Sequence, residues 1–331
     1  MTKVLIGSST GVSIDEPYLK LLKENGFEIN LVNDDQFSRG LRSDDEVIET
    51  LQGASATIAW GTQYTSKILS NLPDLRVIAR RGVGFDRVDI DAATDNNIVV
   101  TITPEGNYEA VAEHAMSLIF ALAKSLRNND ITMRSGSWLN SFGSPIRGSI
   151  LGVVGLGRIG KHLAVMGKNM NMDVVATESM PDQQFVKEHG IDLISLDDLF
   201  RKSDYISLHC PLMDQTLGMV NKEKLTLMKS DASIVNTARG GLIVESDLID
   251  ALKSGLIAGA GLDVFEQEPI SPDNPLTQLD NVILTPHMAG NDHMSRKTMS
   301  LGAARNIIEL HKGDWPEGSV VNDELKGRWT W

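Results

Sequence analysis

The chain has 331 residues, of which 41% are hydrophobic, 23% are charged and one is cysteine. This length suits two domains, and the composition excludes wholesale disorder, a disulfide framework and any cysteine-based zinc or iron–sulfur site. The net charge of −13 argues against a nucleic-acid or anionic-membrane surface. The apolar run at 4–6 is too short for a signal peptide, and no run approaches the roughly 18 apolar residues of a membrane span. We therefore expect a cytoplasmic protein.

Strand-like and helix-like patterns alternate along the first 105 residues. Short apolar stretches typical of buried strands occur at 3–6, 28–32, 56–60, 75–79 and 98–100. Helical patterns fall between them, the first with Ser13 as its predicted cap and Gly26 as its stop. Such alternation predicts a parallel sheet with helices on both faces, which is a doubly wound α/β domain.

The pattern changes at Thr103–Gly106. A helical pattern follows from about 107 to 125, longer than an ordinary crossover helix, and it is a candidate bridge between two domains. The Gly-, Ser- and Pro-rich stretch 137–148 predicts a loop. A second strand–helix series then runs from 149 to about 286, and a last helical pattern covers 294–312. The second series predicts another doubly wound α/β domain.

The start of the second series carries a dinucleotide-binding pattern. A predicted strand runs into the glycine-rich turn Gly155-Leu156-Gly157-Arg158-Ile159-Gly160, and a helix and a strand follow. Gly155 permits the tight turn, Gly157 lets a pyrophosphate approach the backbone, and Gly160 lets the helix pack on the strand. Free amides at the helix start, around Arg158 and Ile159, then hold the pyrophosphate.

Glu178 follows the second strand of this unit, where a carboxylate accepts hydrogen bonds from ribose hydroxyls and repels a 2′-phosphate. Ser179 and Met180 come next, so no arginine is present to receive such a phosphate. The sequence therefore predicts NAD rather than NADP. The alternative is an ordinary strand–helix turn followed by a surface glutamate, but the full order of elements opposes it.

Ligands of open α/β sheets lie beyond the carboxyl ends of the strands. Four predicted strands of the second series end in polar sequences, namely HCP at 209–211, NTARGG at 236–241, DVFEQEP at 263–269 and TPHMAG at 285–290. One face thus gathers an arginine, carboxylates and two histidines around the predicted nicotinamide site. That set suits an anionic substrate and a proton transfer coupled to hydride transfer.

The ordered motifs GLGRIG, HCPL, NTARGG, GLDVFEQEP and TPHMAG resemble the D-isomer-specific 2-hydroxyacid dehydrogenase family, with closest motif similarity to members like 3-phosphoglycerate dehydrogenase. The resemblance spans nearly the whole chain. It implies a Rossmann NAD-binding domain at 106–288, inserted into a flavodoxin-like substrate domain formed by 1–105 and 289–331. It also implies a homodimer built on the long helix and the second-domain surface, and a cleft that closes over the substrate.

The resemblance assigns roles to individual residues. It implies that Arg239 holds the carboxylate and carbonyl of the substrate and that Glu268 and His287 form the acid/base pair, with His287 also touching the substrate. Asp263 is placed against the nicotinamide carboxamide. The remaining implied cofactor contacts are Cys210, Pro211, Thr216, Thr237, Ala238 and Gly290. A carboxylate beside His287 favours the charged imidazolium, the form that protonates a carbonyl oxygen.

In the first domain, the resemblance implies that the amides of Val83 and Gly84 bind the substrate carboxylate, with Arg80 and Asn107 as further contacts. Phosphoglycerate dehydrogenases carry a phosphate-binding arginine after the third strand, whereas this chain has Gly61 at that substrate-binding position. We therefore expect a small, unphosphorylated D-2-hydroxy acid.

The residues beside this loop do not decide the identity of the substrate. Trp60 and Gly61 predict a neutral, partly aromatic pocket. Arg80 and Arg81 could instead supply charge for a second anionic group, which keeps 3-phosphoglycerate as an alternative, or they could merely pair with acidic neighbours at the surface. A glyoxylate or hydroxypyruvate reductase is a further alternative.

Other classes fit less well. An NAD-sensing, corepressor-like protein is the non-enzymatic alternative, but the Arg239, Glu268 and His287 set favours an enzyme. Formate dehydrogenases of this fold pair the histidine with glutamine, and phosphite dehydrogenases carry a lysine where this chain has Val83. His209 also ends a strand and competes with His287, although the motif favours a scaffolding role. No metal is predicted.

Overall fold

The computed structural model describes residues 2–8, 16–139 and 142–331, so Ser13, the predicted cap of the first helix, lies outside the described residues. The chain divides into two compact units. Unit 1 comprises Met1–Asn107 and Asn291–Trp331, and unit 2 comprises Tyr108–Gly290. Each unit is built on its own parallel sheet, which confirms the predicted fold class of two doubly wound α/β domains.

Unit 1 contains a five-stranded sheet. Its strands are β1 (Lys3–Ser8), β2 (Glu28–Asn33), β3 (Ala56–Ala59), β4 (Val77–Arg80) and β5 (Val99–Thr101). Its described helices are α1 (Pro17–Glu24), α2 (Asp35–Arg39), α3 (Asp44–Leu51), α4 (Ser66–Ser70), α5 (Ile90–Asp95) and the carboxy-terminal α13 (His293–Lys312). A short 3-10 helix covers Asp323–Leu325. The strand order is β2-β1-β3-β4-β5, with all pairs parallel, which is the flavodoxin-like order.

Strand β4 shows why the sheet of unit 1 is covered on both faces. Val77 and Ala79 belong to a core cluster with Tyr18 of α1 and Ile307 of α13, whereas Ile78 belongs to the cluster on the other face. Because successive side chains of a strand point to opposite faces, a continuous apolar run is needed where helices pack on both. The carboxy-terminal helix thus completes the core of unit 1, although it lies far away in sequence.

Unit 2 contains a seven-stranded sheet. Its strands are β6 (Ile150–Val154), β7 (Asp173–Thr177), β8 (Asp192–Leu193), β9 (Tyr205–Leu208), β10 (Ser233–Asn236), β11 (Gly259–Leu262) and β12 (Val282–Leu284). Its described helices are α6 (Tyr108–Ala123), α7 (Leu126–Arg134), α8 (Arg158–Asn169), α9 (Gln183–Glu188), α10 (Leu196–Lys202), α11 (Lys222–Leu227) and α12 (Glu245–Lys253), with 3-10 helices at Gly240–Leu242 and Pro275–Gln278.

All strand pairs of unit 2 are parallel, in the order β12-β11-β10-β9-β6-β7-β8. The order reverses between β6 and β9, so the two connections leave these strands in opposite directions. That is the Rossmann arrangement, in which a dinucleotide binds at the reversal point beyond the carboxyl ends of the strands. The polar sequences that follow β9, β10, β11 and β12 therefore lie at the same edge of the sheet as the glycine turn after β6.

The predicted helix 107–125 corresponds to α6, and a further helix that was not predicted, α7, follows it in the structure. Helix α6 ends at Ala123, and α7 begins after Ser125, whose left-handed φ of 48° interrupts the first helix. Helix α7 buries none of its residues. It therefore has no core-facing apolar stripe, the signal on which a helix prediction depends. No helix in the described part of the chain is long and apolar enough to cross a membrane.

Candidate active site

The glycine turn between β6 and α8 has the close contacts that its pattern predicts. Gly155 has a φ of +94°, and a Cβ there would lie 2.8 Å from the Cys210 nitrogen. A Cβ on Gly160 would collide with the Gly155 carbonyl oxygen. Gly157 differs, because its Cβ would meet no described atom within 4 Å. Two glycines thus serve packing, whereas Gly157 borders open space.

Helix α8 begins at Arg158, and its N-cap residue is Gly157, which has no side chain to cap the first turn. Arg158 is exposed, whereas Ile159 packs against the core of unit 2. The amides of this first turn therefore have no intrahelical acceptor and face the side on which Gly157 leaves room. Uncapped amides beside an open glycine fit the pyrophosphate of a dinucleotide.

Glu178 lies just beyond β7 and is hydrogen-bonded to the glycine turn. Its Oε2 accepts a hydrogen bond from the Leu156 amide at 2.7 Å, and its Oε1 accepts bonds from Met180 N and Ser179 Oγ, both at 3.1 Å. Burial alone would raise the pKa of Glu178. The hydrogen bonds from Met180, Leu156 and Ser179 outweigh it and lower the pKa below its usual value. The side chain is therefore an oriented carboxylate at neutral pH.

Thr216 organises the loop after β9. Its Oγ1 donates to the Pro211 carbonyl at 2.7 Å and accepts from the Met213 amide at 2.8 Å. Cys210 is partly buried, with its Sγ 3.6 Å from the Met219 Sδ. Burial raises the pKa of the Cys210 thiol to about 11, so it stays protonated. The loop is thus shaped by internal bonds, and its cysteine is an inert thiol rather than a nucleophile.

His209, the competitor of His287, is a neutral imidazole. Its Nε2 lies 2.8 Å from the Ser207 hydroxyl oxygen. Burial lowers the pKa of His209 to about 3. The ring therefore carries no imidazolium proton at neutral pH, which removes it as the general acid.

Asn236, whose role the sequence analysis did not identify, shapes the loop that carries Arg239. It is 1% exposed. Its Nδ2 donates to the Arg239 carbonyl at 2.8 Å, and its Oδ1 accepts from the Ala238 amide at 3.0 Å. Such an asparagine turn is a recognisable signal at a strand end. It sets the extended backbone of Arg239, whose Nη1 donates to the Ala238 carbonyl at 2.6 Å.

Gly240 brings the arginine loop against the loop after β11. A Cβ on Gly240 would collide with the carbonyl of Phe265. Only glycine allows these two backbones to touch, and the contact places Arg239 beside the segment that carries Glu268. Thr237, on the same loop, is buried, and its Oγ1 has no hydrogen-bond partner in the described part of the chain.

Asp263 anchors the loop that carries His287 and Gly290. Its side chain is fully buried. The carboxylate accepts hydrogen bonds from Thr285 Oγ1 at 2.6 Å, Met288 N at 2.9 Å and Ala289 N at 2.8 Å. All three donors belong to the segment 285–289. The carboxylate therefore holds this loop in place, whether or not it also contacts a nicotinamide.

A second residue extends this anchor into helix α6. His114 Nε2 lies 3.0 Å from Thr285 Oγ1 and 3.8 Å from Asp263 Oδ1. No motif in the sequence assigns a role to His114. Its polar contact depends on β11 and β12 lying side by side, which helical spacing does not reveal.

Glu268 and His287, the two residues that the resemblance pairs, lie within hydrogen-bond distance of each other. Glu268 Oε2 lies 2.8 Å from His287 Nδ1, and Glu268 Oε1 accepts from the Phe265 amide at 3.2 Å. The His287 backbone has a left-handed φ of 50°, and its amide donates to the Asp263 carbonyl at 2.8 Å. The pair engages Nδ1, so Nε2 is the ring nitrogen that can exchange a proton with a ligand.

In unit 1, Arg80 shapes the loop that carries Val83 and Gly84. It is 7% exposed, and its Nε donates to the Gly84 carbonyl at 3.1 Å. Val83 and Gly84 themselves are partly exposed. Asn107, at the end of the unit, has an enclosed Oδ1 with no partner among the described residues.

Gly61 is held at both its amide and its carbonyl by hydrogen bonds within unit 1. Its amide donates to the Ser38 carbonyl at 2.9 Å, and its carbonyl accepts from Arg87 Nη1 at 3.0 Å. A Cβ there would lie 2.7 Å from Ser38 O. The neutral pocket predicted beside it is wrong, because the Arg81 guanidinium lies 4.4 Å from the centroid of the Trp60 ring.

The predicted residues thus lie in two sets. Unit 2 brings together the glycine turn, Glu178, the loop after β9, the arginine loop and the Glu268–His287 pair, whereas unit 1 holds the set around Arg80 and Asn107.

Comparisons with known proteins agree with this geometry. Residues 116–289 match the family model described as D-isomer specific 2-hydroxyacid dehydrogenase, NAD binding domain. The chain is 37% identical over 312 residues to a glyoxylate reductase of Korarchaeum cryptofilum, covering 92% of this chain and 93% of that one. It is 34% identical over 311 residues to a D-3-phosphoglycerate dehydrogenase of Archaeoglobus fulgidus, covering 93% of this chain and 58% of that relative.

A solved structure agrees as well. D-Lactate dehydrogenase from Aquifex aeolicus, complexed with NAD and lactic acid, superposes with a TM-score of 0.83 at 30% identity, covering 96% of this chain and 99% of that one. The chain therefore belongs to the D-isomer specific 2-hydroxyacid dehydrogenase family, oxidoreductases that act with NAD on the CH–OH group of 2-hydroxy acids.

Proposed function

We propose that this chain reduces a small 2-keto acid to its D-2-hydroxy acid with NADH, and catalyses the reverse reaction, using Arg239, Glu268 and His287. The 2.8 Å contact between Glu268 Oε2 and His287 Nδ1 carries the proposal. A carboxylate behind an imidazole orients the ring and stabilises its charged form, which is the arrangement needed for general acid–base catalysis.

In the direction of reduction, protonated His287 donates its Nε2 proton to the carbonyl oxygen of the substrate. In the direction of oxidation, the neutral ring accepts that proton from the hydroxyl group. Glu268 stabilises the imidazolium in both directions and holds Nδ1 so that Nε2 points to the reacting oxygen. The Asp263 carboxylate fixes the loop that bears His287, so we assign it a positioning role beside its implied nicotinamide contact.

Arg239 is permanently charged and suits a bidentate contact with the carboxylate and carbonyl of a 2-keto acid. The Asn236 turn and the Gly240 contact hold its backbone beside the Glu268 loop. We propose that the amides of Val83 and Gly84 also bind the substrate carboxylate.

Arg80 and Asn107 remain proposed substrate contacts on unit 1. Gly61 is not among them, because the rest of unit 1 occupies its amide, its carbonyl and the space for a side chain.

The residues of unit 2 fit a bound NAD, which supplies or accepts the hydride when it is present. We propose that Gly157 and the first turn of α8, with Arg158 and Ile159, hold the pyrophosphate, and that Glu178 binds the ribose hydroxyls. The further proposed contacts are Gly155, Gly160, Cys210, Pro211, Thr216, Thr237, Ala238, Asp263 and Gly290. Thr237 Oγ1, which is buried and unpartnered among the described residues, supports this set. We accordingly propose that unit 2 is the dinucleotide-binding domain and that unit 1 is the substrate domain.

We also propose a homodimer, located on α7 and the segment that follows. The large apolar side chains of this region are exposed, in some cases almost completely. They are Leu126 (54%), Ile131 (49%), Met133 (51%), Trp138 (86%), Leu139 (79%) and Phe142 (98%). Large exposed apolar side chains that are this close in sequence favour an interaction site, and a second copy of the chain is the simplest partner. The measured mass in solution tests the proposal, since Trp138→Ser should convert a dimer to a monomer.

The function itself is tested by following NADH oxidation with glyoxylate, hydroxypyruvate and pyruvate, and by determining the configuration of each product. D-Hydroxy acids are the expected products wherever the carbon is chiral. Tight NAD binding without turnover of any 2-keto acid would contradict an enzyme and favour the NAD-sensing alternative. The single cysteine suits a reducing compartment, so we propose a cytoplasmic location.

A further inference from the structure

A cluster of cationic and aromatic side chains lies on one face of the unit 1 sheet, just beyond the carboxyl ends of β3 and β4. Ile58 and Ala79 are buried on the face that packs against α1 and α13. Trp60 and Arg81 come two positions after them, so strand alternation directs both to this same face. The Arg81 guanidinium lies 4.4 Å from the centroid of the Trp60 ring. The face therefore ends in a stacked arginine–tryptophan pair.

Two polar atoms of this cluster are enclosed without a partner. The Arg81 Nε and the Tyr18 hydroxyl are buried and form no hydrogen bond in the described part of the chain. Tyr18, at the start of α1, is only 4% exposed. Buried polar side-chain atoms are satisfied in the large majority of native structures. Two such donors in one cluster therefore favour an acceptor that the described part of the chain does not supply, such as a bound anion.

The charge of the cluster also favours a bound anion. Burial lowers the pKa of Arg81 to about 10, and the positive charges of Arg296 and Arg80 act in the same direction. Tyr18 and Glu16 oppose this shift, and Glu16 has the weakest influence of the four. The two neighbouring cations thus affect Arg81 more strongly than the Glu16 carboxylate does, and a bound anion would oppose them.

We propose that Arg81 and Tyr18 bind a second anionic group, a carboxylate or a phosphate, at the far end of the 2-keto acid substrate. The inference rests on the proposed function, because it takes the substrate's own carboxylate to lie on the Val83 and Gly84 amides of the same loop. Arg81 donates through its planar guanidinium and Tyr18 through its hydroxyl, and Trp60 holds the guanidinium flat.

This subsite explains how the chain can recognise a dianion without an arginine at Gly61. A side chain at Gly61 would meet the backbone of Ser38 and Arg39. Arg81 comes from the neighbouring strand end instead and approaches from the α1 and α13 face. A substrate with an apolar tail would leave the enclosed Nε and hydroxyl groups unpaired, so the cluster selects against it.

Matched pairs of 2-keto acids test the inference. We would measure kcat/KM with NADH for 2-oxoglutarate against 2-oxopentanoate, and for 3-phosphohydroxypyruvate against hydroxypyruvate. The expected result is a preference of about ten- to a hundredfold for the acid with the second anionic group in at least one pair. The pair that shows it identifies the group as a carboxylate or a phosphate. Equal values within both pairs would overturn the inference while leaving the proposed function intact, and absence of turnover with all four acids would overturn both.

Variants then assign the effect to the cluster. Arg81→Met keeps an unbranched apolar side chain but removes the guanidinium, and it should remove most of the preference through a higher KM for the acid with the second anionic group. Tyr18→Phe deletes one hydroxyl and should reduce the preference several-fold. Arg328→Met, a matched change at an exposed arginine, should leave it unchanged. An unchanged preference in Tyr18→Phe and in folded Arg81→Met overturns the assignment. Tyr18→Phe alone decides it if Arg81→Met does not fold.

Discussion

The carboxylate of Asp263 lies 2.6 Å from the hydroxyl oxygen of Thr285, and this contact joins the ends of the neighbouring strands β11 and β12. The same carboxylate accepts hydrogen bonds from two backbone amides of the segment that follows His287. A residue implied as a cofactor contact therefore also holds the proposed acid–base catalyst in place.

Replacing Asp263 with Asn should lower both the stability of the protein and its kcat. An amide group offers one acceptor oxygen in place of two and turns an NH₂ group towards backbone donors. Hydrogen bonds to charged groups are worth about 1.5–3 kcal/mol each, so the free energy of unfolding should fall by at least this amount. Chemical denaturation measures the loss, and kcat should fall with it. Thr285→Ser keeps the hydroxyl and serves as the control; equal loss in both variants would contradict the proposed anchor.

His287→Ala should reduce kcat by about 10²–10⁴, the usual contribution of a general acid–base group. KM should change much less, because Arg239 and the proposed amides still bind the substrate. Steady-state kinetics of 2-keto acid reduction measure both constants. His209→Ala is the informative comparison, since His209 is neutral and hydrogen-bonded to Ser207. It should reduce kcat less than His287→Ala does. A larger loss of kcat in His209→Ala, with the fold intact, would reverse the assignment.

Glu268→Gln should move the pH–rate profile of reduction to lower pH. The imidazolium of His287 is the reactive form, and loss of the carboxylate removes the charge that stabilises it. The rate at low pH should change less than the position of the profile. A profile that keeps its position would show that Glu268 is not the partner of His287.

Wild-type enzyme should prefer NAD to NADP, and Glu178→Gln should narrow the preference. A carboxylate close to a 2′-phosphate costs roughly a few kcal/mol in a partly buried site. The pKa of Glu178 is lowered, so the carboxylate stays ionised as the pH falls through the ordinary glutamate value of about 4.3. The preference should therefore persist at pH 5. The ratio of kcat/KM for the two cofactors measures it, and a wild type that prefers NADP would contradict the role of Glu178.

Gly240→Ala should abolish activity or folding, whereas Gly241→Ala should be tolerated. The added methyl group at Gly240 would collide with the Phe265 backbone, but at Gly241 it would meet Leu212 side-chain atoms at 3.2 Å, which can move. Adjacent glycines thus make a matched pair. Thermal unfolding and NADH oxidation distinguish them, and equal tolerance at both positions would show that the two loops need not touch.

Local sequence signals predicted much of the fold and part of the site. The glycine turn could be identified because φ > 0 and close backbone approach are properties of individual positions, and the strands because apolar runs and turn residues are contiguous. Glu268 and His287 were named from motif resemblance, since the residues themselves do not show that they meet.

The tertiary structure decided the features that depend on distant segments. Asn236 and His114 acquired roles because strand order brought β10, β11 and β12 together, and helix α7 escaped prediction because it buries nothing. Trp60 and Gly61 predicted a neutral pocket, but the side chain that covers Trp60 belongs to the next strand along the sheet. Residue type and local spacing determine which turns and strands form. The charge at a site depends on which side chains the folded chain places side by side, and Arg81 reached Trp60 only through the pairing of β3 with β4.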